Sequence, residues 1–275
     1  MSLPLLTSHS AAALDARLFK LFSVDVLVEL AGLSVAEAIE AAFPTRGRVL
    51  VLCGAGNNAA DGLACARHLA HAGYSPCVVM PRCGDAPHTQ RLLAQLEALA
   101  VPVLGALPVE STQPRWELAV DAIFGFGFRA GPEGVRAPYL ELLAALRSMS
   151  AQTALPSSES VRVPLTPEGG RGDAIDVRCA PSTLREGGGG VPVVSIDVPS
   201  GWHVDHGDIL PPELGGGLRP SMLVSLTAPK PCSVGCHAPQ HWLGGRFVPP
   251  ALAEEYGISS LAEGFEGVRQ ARRLK

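Results

Sequence analysis

The 275-residue sequence predicts an α/β fold in which a mostly parallel β-sheet carries helices on both faces. Three observations carry this expectation. Short apolar runs alternate with segments of helical periodicity from residue 49 to residue 229. Gly54, Gly56 and Ala59 fit G-x-G-x-x-G/A at a point where a strand gives way to a helix. Apolar residues make up 47% of the chain and charged residues 17%, a balance suited to strands buried on both sides.

The elements follow in order. Leu14, Leu18 and Leu21 mark the apolar face of a helix from Ser8 to about Phe22. Ser23 is a fitting N-cap for a second helix over residues 24–43. Ser34 with Glu37 also resembles a capping box, which would break that helix near Gly32; one continuous helix is preferred. Residues 49–53, "VLVLC", form a fully apolar strand, and a helix from Asp61 is closed by Gly73. "CVVMP" at 77–81 is the next strand, followed by a helix over 88–100 and a strand in "VPVLG". A strand ends at Asp121, a helix spans 137–149, a strand ends near Asp197, and "MLVSLTAP" supplies another. Residues 151–191 contain no aromatic residue and end near four consecutive glycines, so they read as a flexible insertion within a single domain spanning 1–275. The "RGD" at 171–173 inside it reads as chance.

Bulk properties exclude several function classes. The net charge of −4 argues against nucleic acid as a partner, because phosphate binding relies on a basic face. Cys53, Cys65 and Cys77 sit in apolar segments and read as free thiols in a reducing compartment. Cys232 and Cys236, with His237 and His241 nearby, lack the second pair that a structural zinc site needs. No apolar run is long enough to span a bilayer, and the first ten residues lack the charged region of a secretory signal. No membrane partner is expected; a cytoplasmic location is, with mitochondrial entry left open.

In an open parallel sheet, ligands bind beyond the carboxyl ends of the strands. Three strand ends carry hydrophilic residues here: Asn57, Asn58 and Asp61; Asp121; and Asp197 with Ser200. These are hard oxygen donors, suited to an alkali or alkaline-earth cation. The competing reading makes each Asp a helix N-cap. Gly125 to Gly134 form a glycine-spaced loop whose backbone can approach phosphate closely, with Arg129 able to add a charge-assisted contact. A hydride-transferring enzyme is disfavoured, because no acidic residue stands about 20 residues past the glycines to bind a ribose.

Five motifs in consistent order, "VLCGAGNNAADGLACARHLAHAGY", "VDAIFGFGFRAG", "SIDVPSGW", "SLTAPK" and "HWLGGRFVPPAL", resemble the YjeF N-terminal domain family, and within it the NAD(P)H-hydrate epimerases. The resemblance runs from about Ser8 to Tyr256, interrupted by 151–191. It implies a three-layer α/β/α Rossmann-like domain with a mostly parallel central sheet, usually a homodimer. It implies an isomerase that interconverts the R and S epimers of hydrated NADH and NADPH, small-molecule substrates that bear a hydroxyl at C6 of the nicotinamide ring. A separate NAD(P)H-hydrate dehydratase then consumes the S epimer. Carried over by position, one potassium ion per subunit falls on Asn58, Asp121 and Ser200. Substrate contacts fall on Asn57, Asn58, Ala59, Ala60 and Asp61, on Gly125, Phe126, Gly127, Phe128, Arg129, Ala130 and Gly131, and on Asp197. Asp197 is the expected general acid/base. The family loop usually reads "NNGGDG"; Ala59 and Ala60 replace both glycines, a change costing about 1 kcal/mol or more wherever φ is positive. Arg129 stands where animal members often carry Lys. Relatives that serve as dimerisation or binding modules make a catalytically weak or inactive module the alternative.

Overall fold

The computed structural model describes residues 3–108, 115–150, 160–164, 174–178 and 190–274. Helix α1 (Ser8–Leu21) starts where the Thr7 side chain accepts from the Ser10 amide, and Leu14 and Leu18 are fully buried. Helix α2 (Val24–Ala42) starts at Ser23, whose Oγ accepts from the Val26 amide, and runs unbroken through Gly32. Ser34 does not cap a second helix; its hydroxyl donates to the Ala31 carbonyl at 2.7 Å, while Glu37 accepts from the Gln270 and Ala271 amides. Gly32 stays in the helix for a packing reason. A Cβ there would collide with the Cβ of Ala64 and lie 2.8 Å from the Cys65 amide nitrogen, so only glycine lets α2 sit directly on the next helix.

The central sheet has eight strands in the order β10-β9-β8-β7-β4-β1-β2-β3. They are β1 (Arg48–Cys53), β2 (Ser75–Val79), β3 (Val103–Leu104), β4 (Leu118–Ala122), β7 (Val193–Ile196), β8 (Met222–Leu226), β9 (Gln240–Gly244) and β10 (Ala271–Arg273). All pairs are parallel except β10 on β9. Helices α3 (Asn57–His71), α4 (Pro87–Ala98) and α5 (Tyr139–Met149) connect the strands. Alternation along β1 defines the layers. Val49, Val51 and Cys53 pack under α2, α3 and α4, while Leu50 and Leu52 face α5 and Trp116. This is the expected α/β/α sandwich, with short helices α6 (Cys232–Cys236) and α7 (Pro250–Glu255) beyond β8 and β9. Among the described residues no helix is long and apolar enough to cross a membrane.

Two stretches of the insertion are among the described residues. Residues 160–164 and 174–178 pair as antiparallel strands β5 (Ser160–Pro164) and β6 (Ala174–Arg178). Val163 and Val177 are buried against Leu5, and the Arg178 amide donates to the His206 carbonyl at 2.9 Å. Composition hides this cover because it comes from a distant part of the chain. The rest of 151–191 before Gly190, with the Arg171–Asp173 triplet, lies outside the described residues. Cys53, Cys65, Cys77 and Cys232 are buried free thiols, and Cys236 is buried as well. Neither β9 nor β10 was evident from periodicity. Gln240 and His241 give β9 a polar start, and β10 is a three-residue edge strand with two arginines.

Candidate active site

Strand order reverses between β1 and β4: β2 and β3 lie on one side, and β7, β8 and β9 on the other. Connections leaving β1 and β4 therefore diverge and open a crevice at their carboxyl ends. A cavity of about 670 Å³ occupies that crevice, and α1 and α2 form its opposing wall. Polar lining residues follow β1, β7 and β8, and Asp15 of α1 and Tyr139 of α5 add to them.

At the end of β1, helix α3 begins at Asn57, four residues earlier than its apolar periodicity suggests, because Gly56 is extended and its carbonyl accepts from the Ala59 and Ala60 amides. Ala59 and Ala60 thus occupy the first helical turn. Neither is among the residues with positive φ, and both are fully buried in the core, away from the cavity lining. The substitution for glycine costs no backbone strain there; alanine favours the helix. Asn57, Asn58 and Asp61 all line the cavity. Burial holds the Asp61 carboxyl well above the usual carboxylate range, with Asp197 and Asp15 adding to the effect.

Asp121 lies within β4, fully buried beneath the cavity. Its Oδ2 accepts from the Ser195 hydroxyl at 2.8 Å and the Ser200 amide at 2.9 Å, and Oδ1 is 3.4 Å from the Ile123 amide. Burial raises its pKa against these hydrogen bonds. The Ser200 hydroxyl accepts from the Phe124 amide at 2.9 Å and donates to the Phe124 carbonyl at 3.3 Å. Gly125 presses on Asn58: a Cβ there would lie 3.2 Å from the Asn58 Cβ, Cγ and Oδ1. The Asn58 amide nitrogen is buried with no hydrogen-bond partner among the described residues.

Strands β7 and β8 both end in γ-turns of the rare positive-φ kind. Across Asp197 (φ +67°) the Val198 amide donates to the Ile196 carbonyl at 2.8 Å; across Thr227 (φ +65°) the Ala228 amide donates to the Leu226 carbonyl at 2.6 Å. A β-branched residue with positive φ is strained, and such strain concentrates at functional sites. The Asp197 carboxylate, 4% exposed, accepts from the Phe126 amide at 3.2 Å and the Leu226 amide at 3.3 Å. It also forms a buried ion pair with Lys230, whose ammonium donates to the Leu226 carbonyl at 2.8 Å and lies 5.4 Å from the Phe126 ring centre.

The structure brings together Asn57, Asn58, Asp61, Gly125, Phe126, Gly127, Phe128 and Asp197 on one cavity wall system, with Asp121 and Ser200 directly below. Arg129, Ala130 and Gly131 are not part of the lining. Arg129 is exposed and folds back on its own loop, donating to the carbonyls of Phe126 at 2.9 Å and Phe128 at 2.8 Å. Sequence reasoning missed Lys230, Thr227, Tyr139, Phe247 and Asp15, all of which line the cavity. Lys230 follows β8 and was open to the same strand-end rule. Asp15 carried a signal too: it interrupts the apolar stripe of Leu14 and Leu18.

The family described as YjeF-related protein N-terminus matches residues 24–232. Pyridoxine/pyridoxamine 5′-phosphate oxidase 1, chloroplastic, from Arabidopsis thaliana is 38% identical over 259 residues, which cover 92% of this chain. The chain spans only 42% of the length of that relative. The crystal structure of the yeast protein YNL200c is 32% identical with a TM-score of 0.76, over 99% of this chain and 100% of its own. With the reversal of strand order at β1 and β4 and a family match over most of the sheet, the chain belongs to the YjeF-related N-terminal family.

Proposed function

We propose that the protein is an NAD(P)H-hydrate epimerase, an isomerase that interconverts the R and S hydrates of NADH and NADPH. The observation that carries this reading is the buried Asp197 carboxylate, held by two backbone amides and Lys230 on the wall of a ligand-sized cavity. Inverting C6 needs a proton delivered to the departing hydroxyl and one taken from the returning water, and a carboxyl group in a partly dry crevice suits that exchange. Lys230 balances the carboxylate charge in the low-dielectric site. The α3 N-terminus, where Gly56 makes no side-chain cap, offers amides and a partial positive charge to the substrate phosphates. Phe126 and Phe128 offer apolar surface to the ring.

The same reading assigns one potassium ion per subunit to Asn58, Asp121 and Ser200. Two features of the site fit it. Asp121 is a fully buried carboxylate with no cationic side chain among its hydrogen-bond partners, and the Asn58 amide ends in an unsatisfied buried atom, which becomes the oxygen if the amide is flipped. Bound there, the ion would neutralise Asp121 and fix the loop after β4 against α3. The reading also has the protein working as a homodimer and passing the S epimer to a separate dehydratase.

Purified R hydrate incubated with the protein and potassium tests it, with chromatography following the S epimer. The expected result is acceleration over the spontaneous rate, abolished by Asp197→Ala. No acceleration refutes it, as does tighter retention of pyridoxine 5′-phosphate, the ligand type named by the Arabidopsis relative.

A further inference from the structure

We propose that Asp15 is a second catalytic proton carrier, acting on the substrate from the helical wall of the cavity while Asp197 acts from the strand-end wall. The inference rests on the epimerase reading and extends it to a residue outside the motifs that carried the resemblance. Six residues of α1 face the cavity: Ala11, Ala12, Asp15, Ala16, Leu18 and Phe19. Asp15 is the only polar side chain among them, and an ionisable group on an otherwise apolar wall is costly to keep there. No hydrogen bond or ion pair among the described residues engages its carboxyl, whereas both oxygens of Asp197 are already held. Asp15 and Asp61 are thus the lining carboxyls with no such partner, and of the two Asp15 stands on the helical wall, away from the strand ends that carry Asp61 and Asp197.

Its position is fixed. The Leu6 amide donates to the Pro229 carbonyl at 2.9 Å, next to Lys230, and the Ser8 amide and hydroxyl donate to Asp205 at 2.8 and 2.7 Å. Leu14 and Leu18 anchor the helix beneath. The titratable groups facing Asp15 are Asp61 from α3, Asp197 after β7 and Lys230 after β8, with Tyr139 of α5 also on the lining. Burial pushes the Asp15 carboxyl up to about 6; Lys230 opposes the rise and Asp197 adds to it. That value lets the group hold and release a proton near neutral pH.

Two carriers on different walls answer a demand of the chemistry. A carboxylic acid gives its proton to the C6 hydroxyl as the C6–O bond breaks, releasing water and leaving a cation shared between C6 and the ring nitrogen. Water then adds to the other face of C6 and gives a proton to a carboxylate on that side. One water leaves, one enters, and nothing is oxidised or reduced; exchange of one proton through solvent resets the two carboxyls.

The test compares wild type, Asp15→Asn and Asp15→Glu for conversion of R hydrate to S hydrate between pH 5 and pH 8.5. Asp15→Asn is expected to lower kcat about 100-fold or more with KM changed less than about threefold, and to remove the ionisation near 6 from the pH–rate profile. Asp15→Glu is expected to recover part of the rate. The thermal midpoint gives an independent reading of folding. A carboxyl whose native pKa is raised to about 6 costs stability that builds from its unfolded value of 3.8 and is complete above the native one, so Asp15→Asn should melt higher than wild type at pH 7.5 and nearly equally at pH 3.5. An Asp15→Asn variant that keeps wild-type kcat and pH profile overturns the proposal while leaving the epimerase reading intact. A wild type that does not accelerate epimerisation overturns both.

Discussion

Lys230 and Asp197 form a buried ion pair whose side chains are 3% and 5% exposed, so the two residues should be strongly coupled in stability. Removing one partner of such a pair strands the other charge, at a cost of about 3–5 kcal/mol. Lys230→Met should fall at the lower end, near 3 kcal/mol, because Asp197 retains the Phe126 and Leu226 amides. Asp197→Asn should fall higher, because the ammonium keeps only the Leu226 carbonyl. The double variant leaves no stranded charge and should lie within about 2 kcal/mol of wild type, a coupling of roughly 3 kcal/mol or more. At about 2 °C per kcal/mol for a chain of this size, the single variants should melt roughly 6–10 °C lower and the double variant should recover most of the loss. Urea denaturation at pH 7.5, followed by the fluorescence of the buried Trp116 and Trp202, gives the free energies. Additivity of the single effects within about 0.5 kcal/mol would refute the inference that burial makes the pair interdependent.

Three further outcomes are expected. Restoring glycine at Ala59 and Ala60 should cost about 1–2 kcal/mol per site in urea denaturation without raising the epimerase rate, because both positions are helical and buried; a stabilised double variant would contradict this. Gly32→Ala gains about 1 kcal/mol in helix propensity and loses about 1–3 kcal/mol to collision with α3, so a drop in the urea midpoint is expected and a rise would show that α2 moves away freely. Potassium should raise the thermal midpoint above that in tetramethylammonium at equal ionic strength, and Asp121→Asn should remove the difference; an equal rise in the variant would place the effect elsewhere.

Much of the fold was legible because its signals are local. The apolar run at 49–53 and the helical stripe of Leu14 and Leu18 each show a periodicity set by the backbone repeat. The N-cap at Ser23 and the turn at Gly73 (φ +88°) are likewise decided by neighbouring residues. Where structure depends on a remote partner, the sequence was silent. Residues 160–164 and 174–178 each carry only one apolar–charged–apolar alternation inside a Ser-, Pro- and Gly-rich stretch, and they pair with each other under the cover of Leu5 and His206. Strand β10 exists because β9 offers an edge.

The candidate site divides the same way. A strand-end rule applied to residues alone selected Asn57, Asn58, Asp61, Asp121, Asp197 and Ser200, since hydrophilic residues directly after apolar strands meet on one rim of a parallel sheet. It could not say that Arg129 turns back onto its own loop, because that depends on which carbonyls the loop presents. Nor could it join Asp15 to Lys230, 215 positions apart, since packing of α1 across the rim is what brings both to one cavity. The sequence by itself determined the layers, the order of most elements and the oxygen-rich rim, all consequences of short-range periodicity. Only the tertiary structure decided that Ala59 and Ala60 are unstrained, that Asp197 is paired, and that Asp15 stands in the same cavity, because dihedral angles, ion pairs and walls exist only once distant segments meet.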